Sequence, residues 1–249
     1  VKVAFHVLLI FLGTNTGIIL MPYSAKKTKK NLIAIRSRPT TLNNTLFAYL
    51  SVGMTGSGTP TVTMSDSAGG SWVQVGSTVQ AATSGTGSVG VMIFKRTTYG
   101  TGASFTVTAT FSAAVVCKVM QTQQFSGTAG STSTITSATS TTATIPNLTT
   151  PAATASGDMY VLAVGTADAG TTLSGWTGWS NATNNATAGT SPSGETMNAK
   201  YRAATGAGTT TTGTGNQTAN TANNTQVAFV LFQGTPITSV ESWDILSIN

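Results

Sequence analysis

Residues 104–111 read SFTVTATF, and their strict alternation is the clearest structural signal in the chain. Successive side chains of a β-strand point to opposite faces, so the apolar residues of this segment share one face and the threonines share the other. The apolar face consists of Phe105, Val107, Ala109 and Phe111. This pattern predicts an antiparallel strand with one buried face and one polar face.

Segments on both sides of it predict further strands, separated by Gly, Ser, Thr and Asn. These segments are residues 46–52, 61–65, 72–75, 89–96, 114–125 and 142–148. No segment from 40 to 249 has the 3.6-residue periodicity of a helix. Because β-branched Thr and Val fit a pleated surface, we predict an all-β fold built from antiparallel sheets.

Four blocks of sequence recur in the same order and predict an internal duplication. Residues 47–53 match 159–165, 71–72 match 175–176, 96–102 match 202–208, and 125–127 match 232–234. The repeats span 46–127 and 158–234, with a Ser/Thr-rich connector at 128–157 and a C-terminal tail at 235–249. Two architectures fit: one jelly-roll-like β-sandwich shared by both repeats, or two tandem Ig-like sandwiches. We favour the single sandwich, because a repeat of about 80 residues without disulfides would be marginally stable.

The composition argues against catalysis. Charged residues make up only 7% of the 249 residues, and the chain has one cysteine, Cys117, and one histidine, His6. One Cys and one His cannot form a disulfide or a closed zinc site, and they lie too far apart in the chain to suggest a nucleophile with its base. No spacing selects a glycosidase pair from the acids of the body, Asp66, Asp158, Asp168 and Glu195. We therefore predict a protein that is not an enzyme and that has no metal site and no cofactor.

The N-terminal 45 residues differ from the rest of the chain. Residues 1–25 form an apolar leader, which can be a signal peptide, a membrane segment or a mis-annotated start before Met21. Residues 26–45 form a basic arm, whereas residues 39–249 contain five basic and six acidic residues. In a coat protein the arm would contact nucleic acid phosphates; otherwise it is a solvated leader, which we favour. Its candidate contact residues are Lys26, Lys27, Lys29, Lys30, Arg36 and Arg38.

Tryptophan and arginine residues are the other candidates for ligand or assembly contacts. Trp72 and Trp176 match between the repeats, and so do Arg96 and Arg202. Each tryptophan, Trp179 included, is either a core residue, which we favour, or part of an exposed platform for a sugar ring. The arginines either close a strand end by hydrogen bonding to the following turn or contact another subunit.

The segment 65–72, SDSAGGSW, together with Phe94-Lys95-Arg96 and Phe125-Ser126-Gly127, resembles β-sandwich proteins among the structural proteins of tailed phages and environmental viruses. Those proteins share a D-S-x-G-x-x-W turn, an apolar strand and a later strand that ends in F-S-G. The resemblance covers 46–127 well and 158–234 weakly, because the second repeat lacks the Asp turn. It implies a role at the virion surface as a decoration, fibre-like or coat protein.

Our leading expectation is a virion structural protein that assembles with copies of itself and with other virion or surface proteins. Many weak, repeated contacts would then add up to a stable assembly. Two alternatives remain: a carbohydrate-binding or adhesive cell-surface module, whose partner would be a glycan, and a surface-layer or pilus-like subunit. The expected location is the virion or an extracellular surface, and nucleic acid is a partner only if the arm belongs to a coat protein.

Overall fold

A computed structural model describes twenty segments of the chain: residues 32–37, 45–54, 60–76, 78–81, 88–96, 105–113, 115, 117–125, 129–140, 148–149, 152–153, 158–167, 172–175, 177–181, 186–189, 194–208, 212–213, 215–218, 225–234 and 240–243. All the regular elements in these segments are β-strands, and all their pairings are antiparallel. The predicted all-β, antiparallel class is therefore confirmed for the described residues. These residues contain no apolar helix of the length needed to cross a bilayer.

The strands run along the chain as β1 (Leu32–Ser37), β2 (Thr45–Met54), β3 (Val62–Asp66), β4 (Val73–Gln74), β5 (Val79–Ala81), β6 (Ser88–Arg96), β7 (Phe105–Phe111), β8 (Cys117–Phe125), β9 (Ala129–Ser140), β10 (Leu148–Thr149), β11 (Met159–Thr166), β12 (Thr172–Gly175), β13 (Ser180–Asn181), β14 (Ala186–Ala188), β15 (Glu195–Ala203), β16 (Thr212–Gly213), β17 (Gly215–Thr218), β18 (Thr225–Gly234) and β19 (Val240–Trp243).

Two six-stranded sheets form the body of the described structure. The first has the order β19-β8-β2-β6-β4, with β5 also paired to β6. The second has the order β13-β15-β11-β18-β9, with β14 also paired to β15. In the first sheet β2 lies between β6 and β8, and in the second β11 lies between β15 and β18. Each sheet therefore has a long apolar strand at its centre.

One cluster of buried side chains joins the two sheets, and we call it the inter-sheet core. Alternate residues of the central strands supply it, as the two-residue period of a strand requires. It includes Phe47 and Tyr49 from β2, Val91 and Ile93 from β6, Cys117 and Val119 from β8, Met159 and Val161 from β11, and Met197 and Ala199 from β15. Because both sheets contribute to one cluster, the described body is sandwich-like.

The opposite face of the first sheet is also covered. Leu46 and Leu50 of β2 pack there against β7, which lies in a three-stranded sheet of order β1-β7-β3. In β7, Val107 and Ala109 are buried and Thr110 is exposed, which confirms the predicted alternation at these positions. Since β2 is buried on both faces, its sequence is a nearly continuous apolar run.

The outward face of the second sheet carries a smaller cluster. Tyr160, Leu162 and Val164 of β11 pack there with Leu173 of β12 and with Trp179. Strand β12 pairs with β17 in a separate two-stranded sheet. Strand β11 is thus buried on both faces, as β2 is.

Three segments that the sequence assigns to a connector, a tail and an arm contain paired strands. The connector 128–157 contains β9, which pairs with β18, and the tail 235–249 contains β19, which pairs with β8. The arm 26–45 contains β1, which pairs with β7. Both β9 and β19 lie at a sheet edge, where backbone pairing on one side suffices and no apolar alternation is required. Most of the strand predicted at 142–148 lies outside the described residues.

Candidate functional site

The predicted D-S-x-G-x-x-W turn follows β3 and is organised by the side chain of Asp66. Asp66 Oδ1 accepts hydrogen bonds from the backbone N–H of Ala68 at 2.9 Å and of Gly70 at 3.4 Å. Gly69 has a φ of 72°, a conformation that glycine adopts without a steric penalty. This is an Asx-type turn, in which a short acidic side chain takes the place of a backbone acceptor.

The same carboxylate holds the two candidate residues of the first repeat. Asp66 Oδ2 accepts a hydrogen bond from Trp72 Nε1 at 2.8 Å and lies 3.1 Å from Arg96 Nη1. The side chains of Asp66 and Arg96 are 0% and 4% exposed, so this is a buried ion pair. We refer to Asp66, Trp72 and Arg96 as the Asp66 cluster. It ties the turn after β3 to the end of β6.

Gly70 fits this cluster because it has no side chain. A Cβ at Gly70 would lie 1.7 Å from Arg96 Nε and 2.0 Å from Cζ, so the guanidinium occupies the space of a side chain. Ser67 fixes the turn from its other side: its N–H donates to Thr106 O, and its Oγ accepts from the Thr106 N–H, both at 3.0 Å. The motif is therefore a structural closure that joins β3, β6 and β7.

Trp72 is half-buried and packs against the outward cluster of the first sheet. This position agrees with the favoured interpretation of Trp72 as a core residue. Its neighbour Val73 is 59% exposed, the highest exposure of a large apolar residue in the part of the chain that the structure describes. Val73 lies on β4, opposite Lys95 of β6.

The strand registers place Trp72 and Trp179 at comparable positions beside an arginine-bearing strand. Val73 lies opposite Lys95, one residue before Arg96, and Ser180 lies opposite Tyr201, one residue before Arg202. The residues preceding Val73 and Ser180 are Trp72 and Trp179. Trp179 therefore precedes a residue that pairs next to Arg202, as Trp72 precedes a residue that pairs next to Arg96.

Trp179 is buried, and its ring centroid lies 6.3 Å from that of Tyr160. Arg202 is only half-buried, and a Cβ at Gly178 would lie 2.9 Å from its Nη1. Arg202 thus lies over a glycine, as Arg96 does over Gly70. Trp176 lies outside the described residues.

Of the six candidate contact residues in the basic arm, Arg36 is the one that the structure describes. The backbone of Arg36 belongs to β1 and lies opposite Thr106 of β7. Lys26, Lys27, Lys29, Lys30 and Arg38 lie outside the described residues.

A second group of polar residues lies inside the inter-sheet core, and the sequence did not predict it as a unit. Glu195 of β15 is 0% exposed. Its Oε1 accepts a hydrogen bond from Ser51 Oγ of β2, and its Oε2 lies 3.7 Å from Cys117 Sγ of β8. Together with Gly53 and Gly165, these residues form what we call the Glu195 pocket.

Two glycines make room for this carboxyl group. A Cβ at Gly53 would lie 2.5 Å from Cys117 Sγ and 3.2 Å from Glu195 Oε2. A Cβ at Gly165 would lie 2.7 Å from Val91 Cγ2 and would also overlap Ser51 Oγ. The first sheet contributes Gly53 and the second contributes Gly165, so both backbones approach the pocket closely.

Burial sets the protonation of both acidic groups in the pocket. Desolvation raises the pKa of Glu195 well above 4.5, and the hydrogen bonds from Ser51 and Cys117 offset this only in part. Burial, followed by the nearby Glu195, raises the pKa of Cys117 to about 12. The thiol is therefore protonated at neutral pH, and neither group has the character of an exposed nucleophile or base.

Two further hydrogen bonds join strands of the inter-sheet core. Tyr49 donates its hydroxyl hydrogen to Gln123 Oε1 at 2.9 Å, linking β2 to β8. Gln121 Oε1 accepts from the backbone N–H of Ala199 at 2.8 Å, linking β8 to β15 across the two sheets. These bonds supply partners for groups that would be costly to bury alone.

The two-residue alternation of side chains in β15 indicates from the sequence that Glu195 is buried. In β15, Glu195, Met197 and Ala199 share a face, and Met197 and Ala199 belong to the inter-sheet core. An acidic residue on the same face of a strand as buried apolar residues is itself expected to be buried. The sequence could not identify the partners Ser51 and Cys117, because they lie 144 and 78 residues away.

Within the described segments, no three His, Cys, Asp or Glu side chains lie close enough to hold a metal ion. No protein family, curated protein or solved structure matches this chain.

Proposed function

We propose that the protein is a non-catalytic structural subunit of a virion surface, acting as a decoration, fibre-like or coat protein that assembles with copies of itself. The Asp66 cluster carries this proposal. The residues that underlie the resemblance to viral β-sandwich proteins are engaged in closing the fold: Asp66 binds the turn backbone, Trp72 and Arg96. A motif used in this way supports a scaffold role in preference to a reactive site.

The proposed scaffold is one antiparallel sandwich made of two duplicated halves. Two features support it: the orders β8-β2-β6 and β18-β11-β15 have the same pattern of pairing, and one buried cluster contains side chains from both halves. Two tandem Ig-like sandwiches would each require a separate core. A shared core suits a surface subunit that has no disulfide to stabilise it.

Self-assembly is supported by the surface chemistry. Charged residues are 7% of the chain, and residues 39–249 have five basic and six acidic side chains. A body near zero net charge associates readily, because little electrostatic repulsion opposes contact. Val73 on β4, at the edge of the first sheet, is an exposed apolar residue that could contact another copy.

The test is light scattering on the purified protein, with intact mass and negative-stain microscopy on the same sample. A discrete oligomer, ring or filament supports the proposal. A monomer at every concentration, without binding to virion particles, contradicts it.

A carbohydrate-binding module is the second candidate, favoured by the exposed Val73 next to the partly buried Trp72. Sugar rings stack on such aromatic faces. A glycan array distinguishes the candidates: binding that is lost in Val73→Asp, in a protein that remains folded, supports the lectin-like role. Absence of binding by the wild type leaves assembly as the function.

A further inference from the structure

Glu195 connects the two large sheets through its carboxyl group. The residue belongs to β15 of the second sheet, and its hydrogen-bond partners, Ser51 on β2 and Cys117 on β8, belong to the first. Its side chain is fully buried; Gly53 leaves room for Oε2, and Gly165 of the second sheet leaves room for Ser51, the donor to Oε1. A change in the charge of this carboxyl group therefore acts directly on the contact between the sheets.

Among the described residues, the groups hydrogen-bonded to this carboxyl are a hydroxyl and a thiol. The titratable groups that the first sheet presents on the inter-sheet face near the pocket are the Cys117 thiol and, two residues from Ser51 on the same face of β2, the Tyr49 phenol. Burial raises the pKa of both, so both are uncharged at neutral pH. Lys118, the next residue of β8, is a cation that acts on the thiol by lowering its pKa. From β14, Ala188 lies opposite Glu195.

A buried carboxylate without a counter-ion is expensive, whereas the protonated acid has one donor and two acceptor oxygens that neutral partners can satisfy. The Glu195 pocket supplies such partners: a hydroxyl group and a thiol. This differs from Asp66, which has Arg96 at 3.1 Å. Both partners donate to the carboxyl group, but a hydroxyl can also accept, so Ser51 Oγ can accept the hydrogen bond of the protonated acid. Among the described residues no cation forms an ion pair with Glu195, so a carboxylic acid is less costly to bury in this pocket than a carboxylate.

We propose that Glu195 keeps its proton in the folded protein to higher pH than in the unfolded chain and makes the packing of the two sheets pH-dependent, so that its ionisation as the pH rises favours their separation. The sign follows from linkage. The unfolded chain loses this proton near 4.5, while the folded protein keeps it to higher pH. Above 4.5 the folded state binds more protons, so stability falls as pH rises until the folded group also ionises.

Denaturant unfolding of Glu195→Gln and the wild type across about pH 5 to 8 tests this proposal. The amide cannot ionise, so the ratio of the two unfolding constants is expected to change by about tenfold per pH unit, with the wild type becoming relatively less stable. Glu241→Gln, which changes the other glutamate of the chain, is the matched control and should keep the wild-type slope. Parallel pH profiles for the wild type and Glu195→Gln would overturn the proposal.

Two measurements remain decisive if Glu195→Gln does not fold. Infrared spectra of the wild type at neutral pH should contain the C=O stretch of a buried protonated carboxyl, and Ser51→Ala should shift this band because Oε1 loses its donor. A spectrum with only carboxylate bands contradicts the proposal.

Labelling of Cys117, the one thiol of the chain, reports opening of the sheets under native conditions. Its opening equilibrium, corrected for thiol ionisation, should increase with pH in the wild type, and a pH-independent opening contradicts the proposal.

Discussion

The Asp66 cluster and the Glu195 pocket bury a carboxyl group in two different ways. Asp66 lies beside the guanidinium of Arg96 and accepts hydrogen bonds from the turn and from Trp72. Glu195 lies between two sheets with a hydroxyl and a thiol as partners. The first group has a guanidinium 3.1 Å away, and the second, as proposed above, is accommodated as a neutral acid. The comparison shows that burial alone does not fix the charge of a side chain; its partners do.

Asp66→Asn is expected to have the largest effect on stability. The amide can still accept a bond from the turn, but the buried Arg96 loses its counter-ion. Breaking one side of a buried pair costs about 3–5 kcal/mol. Urea unfolding measures the loss, and Ser65→Ala, an exposed change next to it, should have an effect within about 0.5 kcal/mol. Equal effects for both variants would show that the ion pair is not structurally important.

Gly70→Ala tests the close approach of Arg96. A Cβ would lie 1.7 Å from Arg96 Nε, so the guanidinium must move away from Asp66. We expect a loss of about 1–3 kcal/mol by overpacking. Gly69→Asn is the matched control, since a Cβ there meets nothing within 4 Å and Asn tolerates a φ of 72°. A smaller loss at Gly70 than at Gly69 would contradict the packing argument.

Tyr49→Phe removes one polar contact from the inter-sheet core without changing its shape. The hydroxyl donates to Gln123 Oε1 at 2.9 Å, and its loss leaves a buried acceptor without that partner. A double-mutant cycle with Gln123→Met should give a coupling free energy of about 1 kcal/mol. Additive effects of the two substitutions would exclude this bond as a contributor.

Arg202→Ala is expected to have the smallest effect, and it sharpens the comparison between the two arginines. Arg202 is half-buried over Gly178, whereas Arg96 is 4% exposed beside Asp66. We expect a loss of at most about 1 kcal/mol for Arg202→Ala and a clearly larger loss for Arg96→Ala. Thermal unfolding of both variants in parallel measures the difference, and equal losses would mean that the two sites are equivalent.

Much of the strand pattern could be predicted from local sequence. Segments 46–52 and 89–96 lie within β2 and β6, and the predicted segment 104–111 contains β7, because alternation and apolar runs are local signals. The edge strand β9 was not predicted, since an edge needs backbone partners more than apolar side chains. The positions of Val73 opposite Lys95 and of Ser180 opposite Tyr201 also required the strand register.

The candidate site was predictable only in part. Arg96 was expected to close a strand end by bonding to a turn, and it does contact a turn, though that turn precedes its strand and the partner is Asp66. Glu195 was considered only as a member of a catalytic pair, and its partners Ser51 and Cys117 come from the other sheet.

The sequence by itself determined the all-β class and the face of β7 that is buried, because both follow from side-chain type and a two-residue period. Tertiary structure alone decided which strands pair and where each carboxyl group finds its partner. Those features depend on contacts between residues far apart in the chain, and the free energy of a buried acid is set by the groups that folding places around it.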